Sequence, residues 1–192
     1  LKRYKNNPIL RPNPKNWWER SAVFNCASFY DGKLIHLLYR AIGEKAKPAL
    51  APGYAISKYE KYISRLGYAT SKDGFNFQRI RKSPVFTSEK KYENENCEDP
   101  RLTAIEGKLY LTYAVPSKPF RPRQNQWGEP IRTALAQVLS FSPPKYKRLG
   151  IITPENSENR DVVLFSEKIN QKFVMLHRPL RWAKEWFKSP EA

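Results

Sequence analysis

Cysteines, glycines and long apolar runs are all scarce in this chain of 192 residues. The two cysteines, Cys26 and Cys97, stand at no metal-ligand spacing and are too few for a disulfide framework, which favours reduced thiols in a cytoplasmic protein. No segment approaches the apolar length of a membrane-spanning helix, so no membrane partner is expected. The start shows no signal-peptide pattern, although beginning at Leu1 rather than Met leaves a cut N terminus open.

Stretches of helical period are few as well. Sixteen prolines stand against eight glycines, and this composition favours strands and loops. Hydrophobic residues make up 40% of the chain and aromatic residues 14%, which fits a globular protein and argues against disorder. The length allows one domain with its own core, or a large part of a bigger domain.

Acidic residues are outnumbered, with 18 Asp and Glu against 35 Lys and Arg and a net charge of +17. Such a charge attracts phosphate polymers whatever the fold. The basic residues, however, are spread from Lys2 to Lys188, and the chain has no zinc-finger spacing, RNA-recognition motif or basic helix. A solvated basic surface is therefore the preferred interpretation, and no specific nucleic-acid partner is expected.

Three segments of the chain resemble one another. Each opens with a two-residue turn signal and Lys, and then continues as an apolar, aromatic-rich strand. The three are DGKLIHLLYR (31–40), EGKLYLTYAV (106–115) and NQKFVMLHRP (170–179). A second strand follows the first two copies, at 66–77 and 133–141. Repeated units of this kind predict an all-β fold, a β-propeller whose blades are small antiparallel sheets, with a β-sandwich as the alternative.

Residues 1–179 hold about three such blades, whereas a propeller normally closes with four or more. The chain is then either a fragment or a protein that assembles with another chain, which leaves a homo-oligomer open. Residues 180–192 are the only convincing amphipathic helical stretch, and they are predicted to form a C-terminal helical tail.

Residues 98–101 read Glu-Asp-Pro-Arg. Because proline fixes its own φ and pushes the residue before it toward an extended conformation, Asp99 is expected in a restricted, extended backbone, with Glu98 before it and Arg101 two positions on. Asp-Pro also begins ordinary turns. These four residues alone therefore leave both a turn and a held carboxylic acid open.

Eight short motifs, in order along the chain, resemble glycoside hydrolase family 130, which contains β-mannoside phosphorylases and related β-mannosidases. They are NPIL (7–10), VFN (23–25), LLYR (37–40), SRLGYATSKDG (64–74), EDPR (98–101), RTALA (132–136), RDVVLF (160–165) and MLHRP (175–179). The resemblance implies a five-bladed propeller, of which this chain holds about the first three blades. The final blades of the family supply further sugar contacts, so the activity of this short chain by itself is left open.

The resemblance also implies a role for each candidate residue. Asp99 is the implied catalytic residue, a general acid that protonates the leaving oxygen through a sugar hydroxyl. An inverting phosphorylase needs no second carboxylate, since phosphate is already an anionic nucleophile, but it needs cations to hold that phosphate. The implied phosphate-binding residues are Arg132, Arg160 and His177, with Arg160 standing where the phosphorylases have Lys. The implied sugar-binding residues are Asn25, Arg40, Arg65, Glu98 and Arg101.

Inverting phosphorolysis of β-mannosides to mannose 1-phosphate is the function that the resemblance implies. The substrate would be a mannose-containing oligosaccharide and inorganic phosphate the co-substrate, while no cofactor or metal is expected. Two alternatives stay open: a β-mannosidase that uses water, and a non-catalytic sugar-binding remnant with an incomplete propeller. The linkage and the acceptor sugar are also left open.

Overall fold

The computed structural model describes residues 2–43, 63–93, 95–116, 131–154 and 158–179. Contacts within the chain divide it into two units. The first unit is Leu1–Ser88 with Glu95–Glu98, and the second unit is Glu89–Asn94 with Asp99–Ala192. The predicted helical tail at 180–192 lies outside the described residues. Among the residues that are described, no helix has the length and apolar character needed to cross a membrane.

The first unit carries a four-stranded sheet in the order β1-β2-β3-β4, and its neighbouring strands are antiparallel. The strands are β1 (Ala22–Tyr30), β2 (Ile35–Ile42), β3 (Ser64–Ser71) and β4 (Gln78–Arg79). The two central strands, β2 and β3, are the most buried.

The second unit carries the next two sheets, apart from Glu98 at the start of β5. A turn of 3-10 helix, Lys91–Glu93, precedes them. One sheet has the order β5-β6-β7-β8, and the other pairs β9 with β10. The strands are β5 (Glu98–Ile105), β6 (Lys108–Pro116), β7 (Ile131–Phe141), β8 (Pro144–Ile151), β9 (Asn159–Leu164) and β10 (Met175–Pro179).

The turn signals of the three repeated segments form tight turns, as predicted. In the first, the Asp31 carboxylate accepts the N–H groups of Lys33 and Leu34, both at 2.8 Å, and Gly32 has a φ of 96°. In the other two, the turn residues also have positive φ, and they are Glu106, Gly107, Asn170 and Gln171. The strands predicted to follow these turns are β2, β6 and β10, which confirms the repeat.

The core of the first unit lies against one face of its sheet. Trp18, Tyr39, Ala41 and Ala69 form a buried cluster there. Gly67 of β3 lies directly beneath the aromatic rings, since a Cβ atom at this position would come within 2.2 Å of Tyr39 and 2.5 Å of Trp18. Only glycine therefore allows this approach of ring and strand.

In each four-stranded sheet, residues of the second and fourth strands bind a fully buried glutamate. In the first unit, Glu19 accepts hydrogen bonds from the Tyr39 hydroxyl and the Arg79 Nε, both at 2.9 Å. The Asn16 amide donates to the same carboxylate. The tyrosine belongs to the second strand of the sheet and the arginine to the fourth.

The corresponding glutamate of the second unit is Glu93. It accepts from the Tyr113 hydroxyl and the Arg148 Nε, both at 2.7 Å, and these residues lie on the second and fourth strands of their sheet. The backbone N–H groups of Glu89 and Lys90 donate to it at 2.6 and 2.7 Å. Burial alone would raise the pKa of Glu93, but these four donors outweigh it and the net shift is downward.

Candidate active site

Three described residues other than glycine adopt a left-handed backbone inside β-strands. They are Asn25 with a φ of 42°, Asp99 with 45° and Asp161 with 57°. Each lies in the first strand of its sheet, β1, β5 or β9. A residue with a side chain rarely takes this conformation, and where it does so inside a strand the surrounding structure has to hold it, often for a functional reason.

Asp99 follows a buried ion pair. Glu98 and Arg40 are joined through Oε1 and Nη2 at 3.0 Å, and their side chains are 5% and 4% exposed. The Ser64 hydroxyl lies between them, accepting from the Arg40 Nε at 2.9 Å and donating to Glu98 at 3.4 Å. The Ser64 backbone N–H also donates to the Asn96 side chain at 2.7 Å. The chain leading into Asp99 is thus fixed by several buried polar contacts within the first unit.

On the other side of Asp99, the chain is fixed within the second unit. Pro100 is buried, and the Arg101 Nη2 donates to the Asp161 Oδ1 at 2.9 Å. Asp99 itself is half-buried. A charge-assisted bond of this kind is geometrically specific, so Arg101 holds the segment rather than moving freely in solvent.

Asn25 lines a cavity of about 580 Å³ in the first unit, together with Phe24 and residues 7–10. This volume lies in the range of small-molecule pockets. The guanidinium of Arg40 stacks on the Phe24 ring, 4.8 Å from its centre. Arg65 stacks at 4.8 Å on Trp17. Asn25 is thus a predicted sugar-binding residue that lines a cavity of the first unit.

The three predicted phosphate-binding residues lie on β7, β9 and β10 of the second unit. The Arg132 Nη2 donates to the Thr153 carbonyl at 2.7 Å, and the Arg160 Nε and Nη2 donate to Glu158 at 2.9 and 2.7 Å. The His177 Nδ1 lies 2.7 Å from the Asn159 Oδ1.

Hydrogen bonding also links the strands that carry these residues. Thr133, next to Arg132, donates to the Asn159 carbonyl at 3.2 Å. Arg160 directly follows Asn159 and opposes Arg178 in the β9–β10 pair. The structure thus places the three predicted phosphate-binding residues on neighbouring strands of one unit, and it stays a prediction that they bind one anion together.

The remaining candidates divide between the two units. Asn25, Arg40, Arg65 and Glu98 belong to the first, and Asp99 and Arg101 to the second. The motif order also predicts that Asp99 lies close to Asn25 and Arg40. Such an arrangement would join the two units, and it stays a prediction.

Several polar residues around the candidates were not predicted from the sequence. Ser64 and Asn96 anchor the chain before Asp99, while Asp161 holds Arg101. Asp161 does stand inside the motif RDVVLF, but an acidic residue before an apolar strand does not by itself indicate a left-handed backbone or an arginine partner. The only local signal was its position next to Arg160.

The fold is that of a β-propeller. The structure matches the β-1,2-mannobiose phosphorylase from Listeria innocua, solved as a complex with β-1,2-mannobiose, with a TM-score of 0.69 over 92% of this chain and 57% of that chain. The sequences are 21% identical, so this match concerns the fold alone. It confirms the predicted all-β propeller class, with the chain as part of a five-bladed propeller.

A family model described as beta-1,4-mannooligosaccharide phosphorylase matches residues 1–187. The chain therefore belongs to glycoside hydrolase family 130, as its motifs predicted. It is 44% identical over 180 residues to a 1,2-beta-oligomannan phosphorylase of Thermoanaerobacter sp. (strain X514), covering 93% of this chain and 53% of the relative. A beta-1,2-mannobiose phosphorylase of the same strain is 39% identical, with 93% and 54% covered. The chain thus spans about half the length of these relatives.

Proposed function

We propose that this chain carries the general acid and the phosphate site of a β-1,2-mannoside phosphorylase, which releases mannose 1-phosphate with inversion. The 44% identity to a 1,2-beta-oligomannan phosphorylase supports both the reaction and the linkage. The family model is described by a β-1,4 linkage, so the preference for β-1,2 rests on the curated relatives.

The observation that carries the choice of phosphate over water is the state of the buried glutamates. The structure describes four of them, and each is paired with an arginine: Glu19 with Arg79, Glu93 with Arg148, Glu98 with Arg40 and Glu158 with Arg160. An inverting hydrolase needs a second carboxylate to remove a proton from water. Since an arginine already binds one oxygen of each of these carboxylates, we assign that task to none of the four.

In the proposed reaction, phosphate is the nucleophile. Arg132, Arg160 and His177 hold it on the face of the sugar opposite the leaving group. A phosphate oxygen forms a bond to the anomeric carbon as the bond from that carbon to the bridging oxygen breaks. Asp99 supplies the proton, through a sugar hydroxyl, with which the leaving sugar departs as an alcohol.

The first unit would bind the mannosyl group. Asn25 lines the 580 Å³ cavity, and its amide offers both a donor and an acceptor to sugar hydroxyls. Arg40 and Arg65 complete the sugar site as we propose it, while Glu98 and Arg101 fix the chain on either side of Asp99.

Three further features belong to the proposal. The substrate is a mannan oligosaccharide and the co-substrate inorganic phosphate. We place the protein in the cytoplasm, where reduced thiols persist, because Cys26 and Cys97, both among the described residues, do not form a disulfide. A homo-oligomer is retained as a prediction.

One assay separates the three candidate functions. The chain is incubated with β-1,2-mannobiose and, in parallel, with β-1,4-mannobiose, each with and without inorganic phosphate. Mannose 1-phosphate that forms only with phosphate, and faster from the β-1,2 substrate, supports the proposal. Free mannose released without phosphate supports the hydrolase, and no release from either substrate supports the non-catalytic remnant.

Two substitutions then assign roles within an active preparation. Asp99→Asn should lower kcat by about 10²–10⁴-fold, because a general acid typically contributes that much. Arg132→Ala should raise the KM for phosphate and leave sugar binding unchanged. Arg81→Ala is the matched control, since it removes the same charge from an exposed position. An unchanged phosphate KM in Arg132→Ala would show that the nucleophile is assigned wrongly.

A further inference from the structure

We propose that Asp161 is a positioning residue that holds Arg101 and Arg178 in place beside the phosphate site. The proposal rests on the proposed function for the identity of the anion. The Asp161 Oδ1 accepts from the Arg101 Nη2 at 2.9 Å, and its Oδ2 accepts from the Arg178 Nη2. One carboxylate thus joins the segment that contains Asp99 to strand β10.

The position of Asp161 in its sheet matches that of a predicted sugar-binding residue. In β9, Val163 opposes Leu176 and Arg160 opposes Arg178, so Asp161 and Val162 together face the single residue His177. Such an arrangement is a β-bulge.

The first sheet has the same feature at Asn25. Phe24 opposes Arg40 and Cys26 opposes Tyr39, so Asn25 is the extra residue of a bulge in β1. Both bulges lie in the first strand of a sheet, both place a polar residue at positive φ, and both face the strand end that carries an arginine. Asp99 has the same backbone in the first strand of the remaining sheet. Asp161 is therefore the third member of a repeated set whose other two members are candidate site residues.

Electrostatics explains why a carboxylate is suited to this place. Arg101 and Arg178 are like charges that share one neighbour, and Arg160 directly precedes that neighbour in the chain. Without a carboxylate between them, the two guanidinium groups would repel each other and turn toward solvent. Their side chains are 43% and 56% exposed, and among the described residues Asp161 is the acceptor that binds the charged ends of both.

A different role for Asp161 makes the opposite prediction. A carboxylate bound to two arginines could instead act as a substitute for phosphate, occupying cations that the anion would otherwise bind. Neutralising Asp161 would then strengthen phosphate binding, both by freeing the arginines and by adding one positive charge to the site. If Asp161 positions the arginines, its neutralisation weakens phosphate binding in spite of that added charge.

The test is a titration with inorganic phosphate at fixed ionic strength, followed by NMR. Asp161→Asn keeps the shape of the side chain and tolerates the left-handed backbone, so it isolates the charge. We expect phosphate binding to weaken about 10-fold, which corresponds to the loss of one charge-assisted hydrogen bond. An unchanged or tighter binding overturns the proposal. Asp161→Gly, which also tolerates this backbone, provides a second variant with the same expected direction.

Glu106→Gln is the matched control. Glu106 belongs to the same unit, has a φ of 48° and forms an ion pair with Lys168 at 2.8 Å, but it lies in a hairpin turn. Its neutralisation adds the same charge and should leave phosphate binding unchanged. Equal weakening in both variants would overturn the proposal, because the effect would then not depend on the arginine contacts.

A second readout separates this proposal from the proposed function. In the phosphate-free protein, the side-chain Nε resonances of Arg101 and Arg178 should report ordered groups, and Asp161→Asn should make both mobile. If no variant binds phosphate but the arginines still depend on Asp161, the proposed function fails and the positioning role stands. If the Nε resonances of Arg101 and Arg178 are unchanged in Asp161→Asn, the positioning role fails whether or not phosphate binds.

Discussion

The two four-stranded sheets each hold a buried glutamate with the same two residue types, but the remaining hydrogen-bond donors to that glutamate differ. Each surrounds a fully buried glutamate that is bound by a tyrosine and an arginine. Glu19 receives its third hydrogen bond from the side chain of Asn16, whereas Glu93 receives two from backbone N–H groups at a turn of 3-10 helix. Glu93 therefore fixes a backbone turn in addition to an arginine, and Glu19 fixes side chains alone.

The arginines differ as well. Arg148 is 6% exposed and has a second carboxylate partner in Glu89 at 2.8 Å, while Arg79 is 22% exposed. A charge that water cannot reach depends more strongly on its partner. The comparison teaches that the same trio of residues is more firmly required in the second unit than in the first.

Glu93→Gln should give the largest effect. Arg148 would lose its buried partner and two backbone N–H groups would lose a charged acceptor, which together cost about 3–5 kcal/mol in the free energy of unfolding. The free energy of unfolding is measured by urea denaturation, with hydrogen exchange in peptides of the second unit as the probe of unfolding. A loss below about 1 kcal/mol would show that the buried pair is not needed, contrary to the comparison.

Protonation of Glu93 should reproduce part of that loss. The pKa of Glu93 in the folded chain lies below its ordinary value of 4.5, so the ionised form favours folding. This contribution is fully present above about pH 4.5 and is lost as the pH falls through the lower folded pKa. Unfolding free energies measured between pH 7 and pH 3 should fall in the acid range for the wild type. The fall should be shallower for Glu93→Gln, and identical slopes would contradict the assignment.

Glu19→Gln should cost less than Glu93→Gln, about 2 kcal/mol, because water partly reaches Arg79 and no backbone donor loses its acceptor. The readout is the exchange of amide hydrogens in β2 and β3. If Glu19→Gln proves as costly as Glu93→Gln, the backbone contacts of Glu93 contribute nothing extra.

The smallest effects should come from the tyrosines. Tyr39→Phe and Tyr113→Phe each remove one hydroxyl from a glutamate that retains other donors, so each should cost about 1 kcal/mol. Burial and the neighbouring glutamate raise the pKa of both phenols, which therefore stay protonated donors at neutral pH. Thermal unfolding of the two variants side by side provides the check, and a clear difference between them would place the asymmetry in the tyrosines rather than in the backbone donors.

The sequence was sufficient for the family and for the strands of the repeat, β2, β3, β6, β7 and β10, because turn residues and alternating apolar residues are local signals, although β3 ends at Ser71 rather than at 77. It did not reveal the buried glutamates, whose partners Arg79 and Arg148 are more than fifty residues away. One signal was available, since Glu19 precedes Tyr39 and Glu93 precedes Tyr113 by the same twenty residues. An alignment of the repeated segments on Gly32 and Gly107 conceals this equal spacing, because Tyr39 and Tyr113 then fall one position apart.

The candidate site shows the same division. Asp99 could be singled out because proline restricts the residue before it. The extended backbone expected there was wrong, since Asp99 has a φ of 45°, which the packing of the folded chain imposes and proline alone does not predict. The pairing of Glu98 with Arg40 could not be predicted, because it depends on how β2, β3 and the start of β5 pack. For the same reason, Asp161 was seen only as part of a motif, and its two arginine partners come from the folded register of β9 and β10.

The division of the chain into units has a consequence for anyone who wishes to dissect the protein. Residues 89–94 belong to the second unit and residues 95–98 to the first, so the chain passes between the units three times. A cut after Ser88 would deprive the first unit of Asn96 and Glu98, and a cut after Glu98 would deprive the second unit of Glu93. No single cut yields two complete halves, and a split form of this protein would have to carry residues 89–98 on both pieces.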